Sequence, residues 1–203
     1  NIQKFDSDGN FITKWGTFGV GQGQFGSERS PVGIAIDSQD NIYVTDYWND
    51  RIQKFDSDGN FLLDITGGYY STQTLFYEPQ AIAVDSEDNV YITESSNNIL
   101  KFDSNGNFIE DWSPNDTSVT ALQIPEGIAI DKFDNIYIND LYHDRIQKFS
   151  KNGMFITKWE TSGIKGTHFE EGLGGIAVNS EGVVFVSQFG YNRVEVFAPT
   201  HLN

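Results

Sequence analysis

The sequence predicts an all-β fold, a β-propeller of four-stranded antiparallel blades. Three observations carry this. A unit of about 47 residues recurs. Each unit holds four short runs rich in β-branched and aromatic residues. Asp/Asn-Gly turns separate those runs, because glycine takes positive φ without penalty. No helical period competes over a useful length.

Run a is Gly33-Ile-Ala-Ile-Asp37, Ala81-Ile-Ala-Val-Asp85, Gly127-Ile-Ala-Ile-Asp131 and Gly175-Ile-Ala-Val-Asn179, spaced 48, 46 and 48 residues apart. It is small or aliphatic throughout, as expected of an innermost strand buried on both faces. Run b follows as Asn41-Ile-Tyr-Val-Thr-Asp46, Asn89-Val-Tyr-Ile-Thr-Glu94, Asn135-Ile-Tyr-Ile-Asn-Asp140 and Val183-Val-Phe-Val-Ser-Gln188. Run c occurs five times, beginning at Ile2, Ile52, Ile99, Ile146 and Val194, and run d four times, beginning at Phe11, Phe61, Phe108 and Phe155. Runs c and d alternate apolar and polar, which suits outer strands with one side nearer water. The hairpin turns Asp6–Asn10, Asp56–Asn60 and Asp103–Asn107 join c to d, and Asp37–Asn41 and its equivalents join a to b. An open β-solenoid would use shorter rungs than this period.

The order along the chain is c-d, then a-b-c-d three times, then a-b-c. This gives one domain over 1–203, with repeats at about 1–32 (partial), 33–80, 81–126, 127–174 and 175–203 (partial). Two architectures remain open. The first d strand can complete the last a-b-c blade and close a four-bladed ring. Alternatively the chain is an arc of a six-bladed propeller, which at this period needs roughly 280 residues. An open arc leaves edges that invite oligomerisation.

Composition narrows the function. The net charge is −16 and the pI about 4.3. That field repels phosphate backbones, so nucleic acid is excluded as a partner, and it favours cationic partners or divalent metal. The acid also keeps a β-rich surface soluble. Cysteine is absent, which removes disulfides, thiol catalysis and Cys-based metal sites. No apolar run approaches 18 residues, so no membrane span is expected, and no signal peptide is visible.

The sequence Pro31-x-Gly-Ile-Ala-Ile-Asp37, then Asn-Ile-Tyr-Val-Thr-Asp46, Asn49-x-Arg-Ile-Gln-Lys-Phe55 and Asp-Gly-Asn-Phe61 resembles the NHL repeat. The stretch Phe11–Phe25 looks like the linker of long prokaryotic and archaeal NHL arrays. The resemblance covers essentially the whole chain. Asn98 departs from it by replacing the arginine of Arg51, Arg145 and Arg193. Asn179 replaces the Asp after run a, and Ser150-Lys-Asn-Gly153 loses the acidic turn. The resemblance implies a propeller, usually six-bladed. Its members are binding scaffolds, and similar propellers serve as amidating lyases, streptogramin lyases and metal-dependent lactonases. Fold alone does not choose among these. A scaffold module of a prokaryotic surface or secreted protein is the expectation for location.

In such a fold the b–c and d–a loops share one face. That face gathers Asp46, Trp48, Glu94, Asp140, Tyr142 and Tyr191, a mixture of carboxylates and aromatics that suits a protein, peptide or small-molecule ligand. Glu78 and Glu126 are candidate metal ligands there, since Ca²⁺ wants several oxygen donors. Val32, Gln80 and Glu126 precede run a and are expected to ring the axial mouth. Asp46, Glu94 and Asp140 occupy one repeat position, which equally predicts a structural role: bonding backbone N–H groups of the following turn, or pairing with the repeat arginine.

His143 lies in the right loop to be a catalytic base, and His168 shares its face. The three histidines, His143, His168 and His201, do not form a repeat set. No nucleophile-elbow, zinc-protease or P-loop pattern is present, and Gly21–Gly26 opens no helix. The Asp-x-x-Asp-Asn turns read as Asx turns before they read as Ca²⁺ sites. Phe5, Phe55, Phe102, Phe149 and Phe197, with Trp15, Trp112 and Trp159, read as inter-blade packing. The sequon at Asn115 is short enough to arise by chance. The chemistry points first to a non-catalytic binding propeller, and second to a metal-dependent lyase or lactonase with a divalent cation at the axial mouth.

Overall fold

The computed structural model describes residues 1–26, 30–66, 77–112, 120–160, 173–188 and 192–198, all in strands and turns apart from two short 3-10 turns. The first hairpin is β1 (Ile2–Phe5) with β2 (Phe11–Trp15), followed by the two-residue strands β3 (Thr17–Phe18) and β4 (Gln24–Phe25). Then come the blades β5 (Ile34–Ile36), β6 (Ile42–Asp46), β7 (Arg51–Phe55), β8 (Phe61–Ile65); β9 (Pro79–Val84), β10 (Val90–Glu94), β11 (Ile99–Phe102), β12 (Phe108–Asp111); and β13 (Pro125–Ile130), β14 (Ile136–Asp140), β15 (Arg145–Phe149), β16 (Phe155–Glu160). The last sheet is β17 (Leu173–Val178), β18 (Val184–Gln188) and β19 (Arg193–Phe197). Every blade strand pairs antiparallel with its sequence neighbour, in the a-b-c-d order of the repeat.

Closure through the first d strand is not seen among the described residues. Among the described residues β2 pairs only with β1, and β19 only with β18. The result is an arc of three complete blades, with two c–d strands before it and three a-b-c strands after it. The inner strands β5, β9, β13 and β17 pack side by side in that order.

The local chemistry explains each turn. In the first c–d turn Asp6 Oδ1 accepts the N–H of Asp8 and Asn10, at 3.0 and 2.8 Å, and Gly9 takes φ +83°. In the a–b turns the positive-φ place belongs to Asp40, Asp88 and Asp134, at 63°, 62° and 60°. Asp37 accepts from Asn41 and Gln39 there. Asp88 also accepts both the N–H and the Oγ–H of Ser38 from the preceding blade, each at 2.8 Å. Asp134 accepts the same pair from Ser86. The Asx turns of the sequence are therefore also blade-to-blade clamps.

Burial corrects one expectation. Strand b, not strand a, is covered on both faces: all five residues of β6, β10 and β14 are buried. Strand a lines the axial groove and is partly open to it. The core is a series of inter-blade clusters, such as Tyr43, Ile52 and Ile65 against Ile82, Val90, Ile92 and Phe102. Trp15 packs 5.9 Å from Phe55, Trp112 5.4 Å from Tyr91, and Trp159 stacks on Tyr137. Trp15 also covers Gly59, whose φ is +85° and where a Cβ would lie 2.7 Å from the indole.

Two predictions follow from these turns. Gly59→Ala combines a left-handed φ with a clash against Trp15, and should cost about 1–2 kcal/mol, read by urea denaturation. Asp37 and Asp131 titrate below 3.8: burial opposes this, but hydrogen bonds led by Asn41 and Asn135 outweigh it. A carboxylate lowered on folding stabilises above its unfolded value and loses that contribution on acidification. The melting temperature should therefore fall as pH drops below about 3.8, and more steeply in the wild type than in Asn41→Ala.

Candidate functional site

The face that carries the b–c and d–a loops is organised around the last residue of each b strand. Asp46 is fully buried. Its carboxylate accepts from the Gly26 N–H at 2.8 Å, Asn49 Nδ2 at 2.8 Å, Arg51 Nε at 3.0 Å and Gln53 Nε2 at 3.4 Å. Asp140 repeats the arrangement with the Gln123 N–H at 2.8 Å, Arg145 Nε at 2.7 Å and Gln147 Nε2 at 3.0 Å. Glu94 accepts from the Tyr77 N–H at 3.0 Å and from the Ser96 hydroxyl. The backbone N–H in each set comes from the linker before strand a, not from the turn that follows strand b. These acids fasten the linker to its own blade.

Substitution at one place changes the charge balance. Asp46 and Asp140 each face a guanidinium, at 3.0 and 2.7 Å. In the second blade Asn98 stands where the arginine would be. Burial then raises the Glu94 carboxyl, with bonds from Ser96, Tyr77 and Asn98 offsetting it only in part. A buried carboxylate without a counter-charge shifts towards its neutral form.

The loop tips are linked across blades as well. Asp50, at φ +47°, accepts the Glu78 N–H at 2.8 Å, and Asn97 accepts the Ile124 N–H at 2.7 Å. The Glu78 carboxylate accepts the Tyr47 hydroxyl at 2.6 Å. Glu78 is therefore engaged by the preceding blade and does not line the axial groove.

The axial groove is a cavity of about 410 Å³ ringed by Val32, Gln80, Glu126 and Gly174, one from within or just before each inner strand. Glu126 has no hydrogen-bond or ion-pair partner among the described residues, and burial alone raises its carboxyl above the usual range. Val32 and Gly174 offer no side-chain oxygen. One carboxylate and one amide do not supply the six or more oxygens that Ca²⁺ takes. No group of three or more His, Cys, Asp or Glu side chains converges among the described residues. Among the described residues this donor set falls short of what Ca²⁺ takes.

In the loops of this face, Trp48, Tyr77 and Tyr142 are 49%, 59% and 64% exposed. His143 Nδ1 lies 3.0 Å from both oxygens of Asp140 and its ring stands edge-on to Tyr142. Asn49 fills the equivalent place against Asp46. Tyr191, His168, His201, the Phe169-Glu170-Glu171 run and the Asn115 sequon lie outside the described residues. The roles of Gln53 and Gln147 escaped the sequence reading. The signal was the joint recurrence of Asp46, Arg51 and Gln53 as Asp140, Arg145 and Gln147.

The model of the NHL repeat family matches residues 29–55. Among curated proteins no match was found. Virginiamycin B lyase from Staphylococcus aureus superposes with a TM-score of 0.62 at 15% identity, over 98% of this chain and 62% of its own. A streptogramin B lyase gives 0.62 at 17% identity, over 97% and 61%. A catalytically inactive histidine variant of the S. aureus lyase with quinupristin gives 0.64 at 15%, over 98% and 63%. The chain thus spans less than two thirds of the length of these structures. At this identity they establish the β-propeller fold, and with the repeat match they support an NHL-repeat propeller.

Arg145→Ala should leave the Asp140 carboxylate buried without its counter-charge and cost about 3–5 kcal/mol, measured by urea denaturation. Arg193→Ala, whose side chain is a third exposed and whose partners are the neutral Gln188 and the Glu195 carboxylate, should cost markedly less.

Proposed function

We propose that this chain is a non-catalytic binding propeller that takes a protein, peptide or small-molecule ligand on its b–c/d–a loop face, through a cationic group placed at the axial mouth. The observation that carries this reading is the Glu126 carboxylate, without a partner among the described residues and raised by burial in the axial groove. Four other acids of the face are held by structure: Asp46, Glu94 and Asp140 hold linkers, and Glu78 accepts from Tyr47. A bound ammonium or guanidinium would restore the charge that burial disfavours. Trp48, Tyr77 and Tyr142 then supply exposed rings for the apolar part of the ligand or for cation–π contact. The net charge of −16 steers cations towards the molecule from any direction. Specificity therefore has to come from the groove, not from the field.

Titration with a short lysine peptide at 0.15 M salt tests this. Glu126→Gln should weaken binding about tenfold, the effect of losing one charge-assisted hydrogen bond of about 1.5 kcal/mol. Glu87→Gln, on an exposed turn, should change it less than twofold. The Glu126 carboxyl, followed by carbon NMR, should titrate above 4.5 in the free protein and move down on binding. Equal losses for both variants would reduce the effect to general charge and sink the reading.

A second reading rests on His143. Asp140 orients its Nδ1, the half of an acid–base dyad that fixes tautomer and direction, and two of the solved structures are lyases. Asn49 in the same role against Asp46 favours structure over chemistry. His143→Asn should keep the melting temperature within about 2 °C and leave ligand binding intact. Loss of a lyase activity in that variant, assayed on a streptogramin B or a lactone, would favour the enzyme instead.

A further inference from the structure

A second cavity, of about 260 Å³, lies between the second and third complete blades, beside the outermost strand β12, and shares no described lining residue with the axial groove. Glu110 and Trp112 form one side, Asn152 of the facing c–d turn the other, and Leu122, Phe149 and Phe155 the apolar walls. Phe149 is buried and Phe155 is 40% exposed. Their ring centroids are 5.9 Å apart at 76°, so they make two walls nearly at right angles. Trp112 packs edge-on against Tyr91 and covers the Gly153 backbone. Glu110 is exposed and has no hydrogen-bond or ion-pair partner among the described residues. Lys101, across the strands from it, is drawn instead to Asp85 at 3.9 Å and over the Tyr91 ring at 4.9 Å.

The repeat allows this seam to be compared with its equivalents place by place. The carbonyls of Gln24 and Ala121 accept the guanidinium groups of Arg51 and Arg145, and the N–H groups of Gly26 and Gln123 bond Asp46 and Asp140. Phe25 therefore holds the place of Leu122. Trp15 holds that of Trp112 and Phe55 that of Phe149, while Thr13, opposite Lys4, holds that of Glu110, opposite Lys101. Phe25 is 2% exposed and its ring lies 6.1 Å from Phe55, so it fills its seam. Leu122 brings no ring and leaves that space open. Between the first and second complete blades, Leu63 and Ile65 stand in the places of Glu110 and Trp112 and pack against Gly106. An unfilled ring place and an unpaired rim carboxylate thus coincide between the second and third complete blades.

We propose that this cavity binds a quaternary ammonium group, with Glu110 as counter-charge and Trp112, Phe149 and Phe155 as aromatic walls. The walls are rings and aliphatic carbon, and Glu110 is the one charged group among the described lining residues. A protonated primary amine carries three N–H donors and a tight hydration shell, and donors left unpaired on desolvation are costly. A trimethylated ammonium has no N–H. It presents methyl groups to the apolar walls and is attracted both to ring faces and to the carboxylate. The cavity is smaller than the roughly 300–1,000 Å³ of sites for drug-sized ligands. The guest is therefore small, a choline-like molecule or the head group of a trimethylated lysine. Binding here does not depend on Glu126, which lies on the other cavity.

The chain has four tryptophans, and their indole N–H signals in a nitrogen-15-labelled sample report the site. Choline chloride is titrated in and the Trp112 signal, assigned through Trp112→Phe, is followed. It should shift saturably, while that of Trp48 on the loop face stays in place. Glu110→Gln, at an exposed position, should weaken choline about fivefold. Leu122→Phe supplies the ring that Phe25 brings to the equivalent seam and should abolish the shift. Unchanged circular dichroism spectra show that both variants are folded. Ethanolamine, which keeps the alcohol but carries a primary amine, should bind at least about tenfold more weakly. Glu126→Gln should leave choline binding unchanged. A peptide with one trimethyllysine that binds more tightly than choline marks a protein tail as the guest, and the reverse order marks a free small molecule. The proposal is overturned by the lack of a saturable Trp112 shift, by equal affinity for ethanolamine, or by wild-type binding in Glu110→Gln and Leu122→Phe. Loss of choline binding in Glu126→Gln assigns the ligand to the axial groove and overturns it too.

Discussion

Everything on the loop face depends on a carboxylate buried at the end of strand b. Asp46 and Asp140 are fully buried and surrounded by donors from three places: the linker backbone, the arginine that opens strand c, and the glutamine two residues on. A charge in that position is tolerated because both carboxylate oxygens accept hydrogen bonds and one faces a guanidinium. The node therefore fixes three elements at once. It sets where strand c begins, holds the linker against its own blade, and aims the loop tip between them. The exposed aromatics Trp48 and Tyr142 project from those tips.

The blades are joined by a different logic. Inner strands approach closely because Gly33 and Gly127 have no side chain; a Cβ would meet the Gln80 carbonyl at 2.9 Å or Asn139 Nδ2 at 2.9 Å. Thr45 and Asn139, in the middle strand, donate to the carbonyls of Gln80 and Gly174 in the next blade, at 3.0 and 2.8 Å. Outside this polar seam lie the aliphatic and aromatic clusters, and at the far rim Trp15 covers Gly59. Each layer specifies register in its own way, so a blade cannot slide without exposing apolar surface and breaking hydrogen bonds together.

The same economy separates structural from ligand-facing acid. A chain with 29 Asp and Glu residues has many carboxylates to choose from. The first turn aspartates Asp6, Asp37, Asp56, Asp85, Asp103 and Asp131 accept backbone N–H groups, Asp46 and Asp140 sit on arginine and glutamine, and Glu94 on Ser96 and the Tyr77 N–H. Glu126 has none of these partners among the described residues, and its position at the start of β13 places it on the axial groove. Electrostatics that looks uniform in composition is thus local in consequence.

The sequence by itself determined the blade. Period, alternation and Asp/Asn-Gly turns located the blade strands from Ile2-Gln-Lys-Phe5 to Val194-Glu-Val-Phe197, though not the short parallel pair β3–β4 in the linker, because those signals are local and the side-chain period of a strand is visible along the chain. It also placed Val32, Gln80 and Glu126 at the axial mouth, since one repeat position maps to one place in the ring. Tertiary structure decided the rest. That strand b is the most buried strand depends on blades packing on both its faces. Whether Asp46 bonds the following turn or a linker twenty residues upstream turns on a contact remote in sequence. The choice between a closed ring and an arc was made by whether β2 reaches β19, and no local pattern encodes the distance between the ends of a curved array.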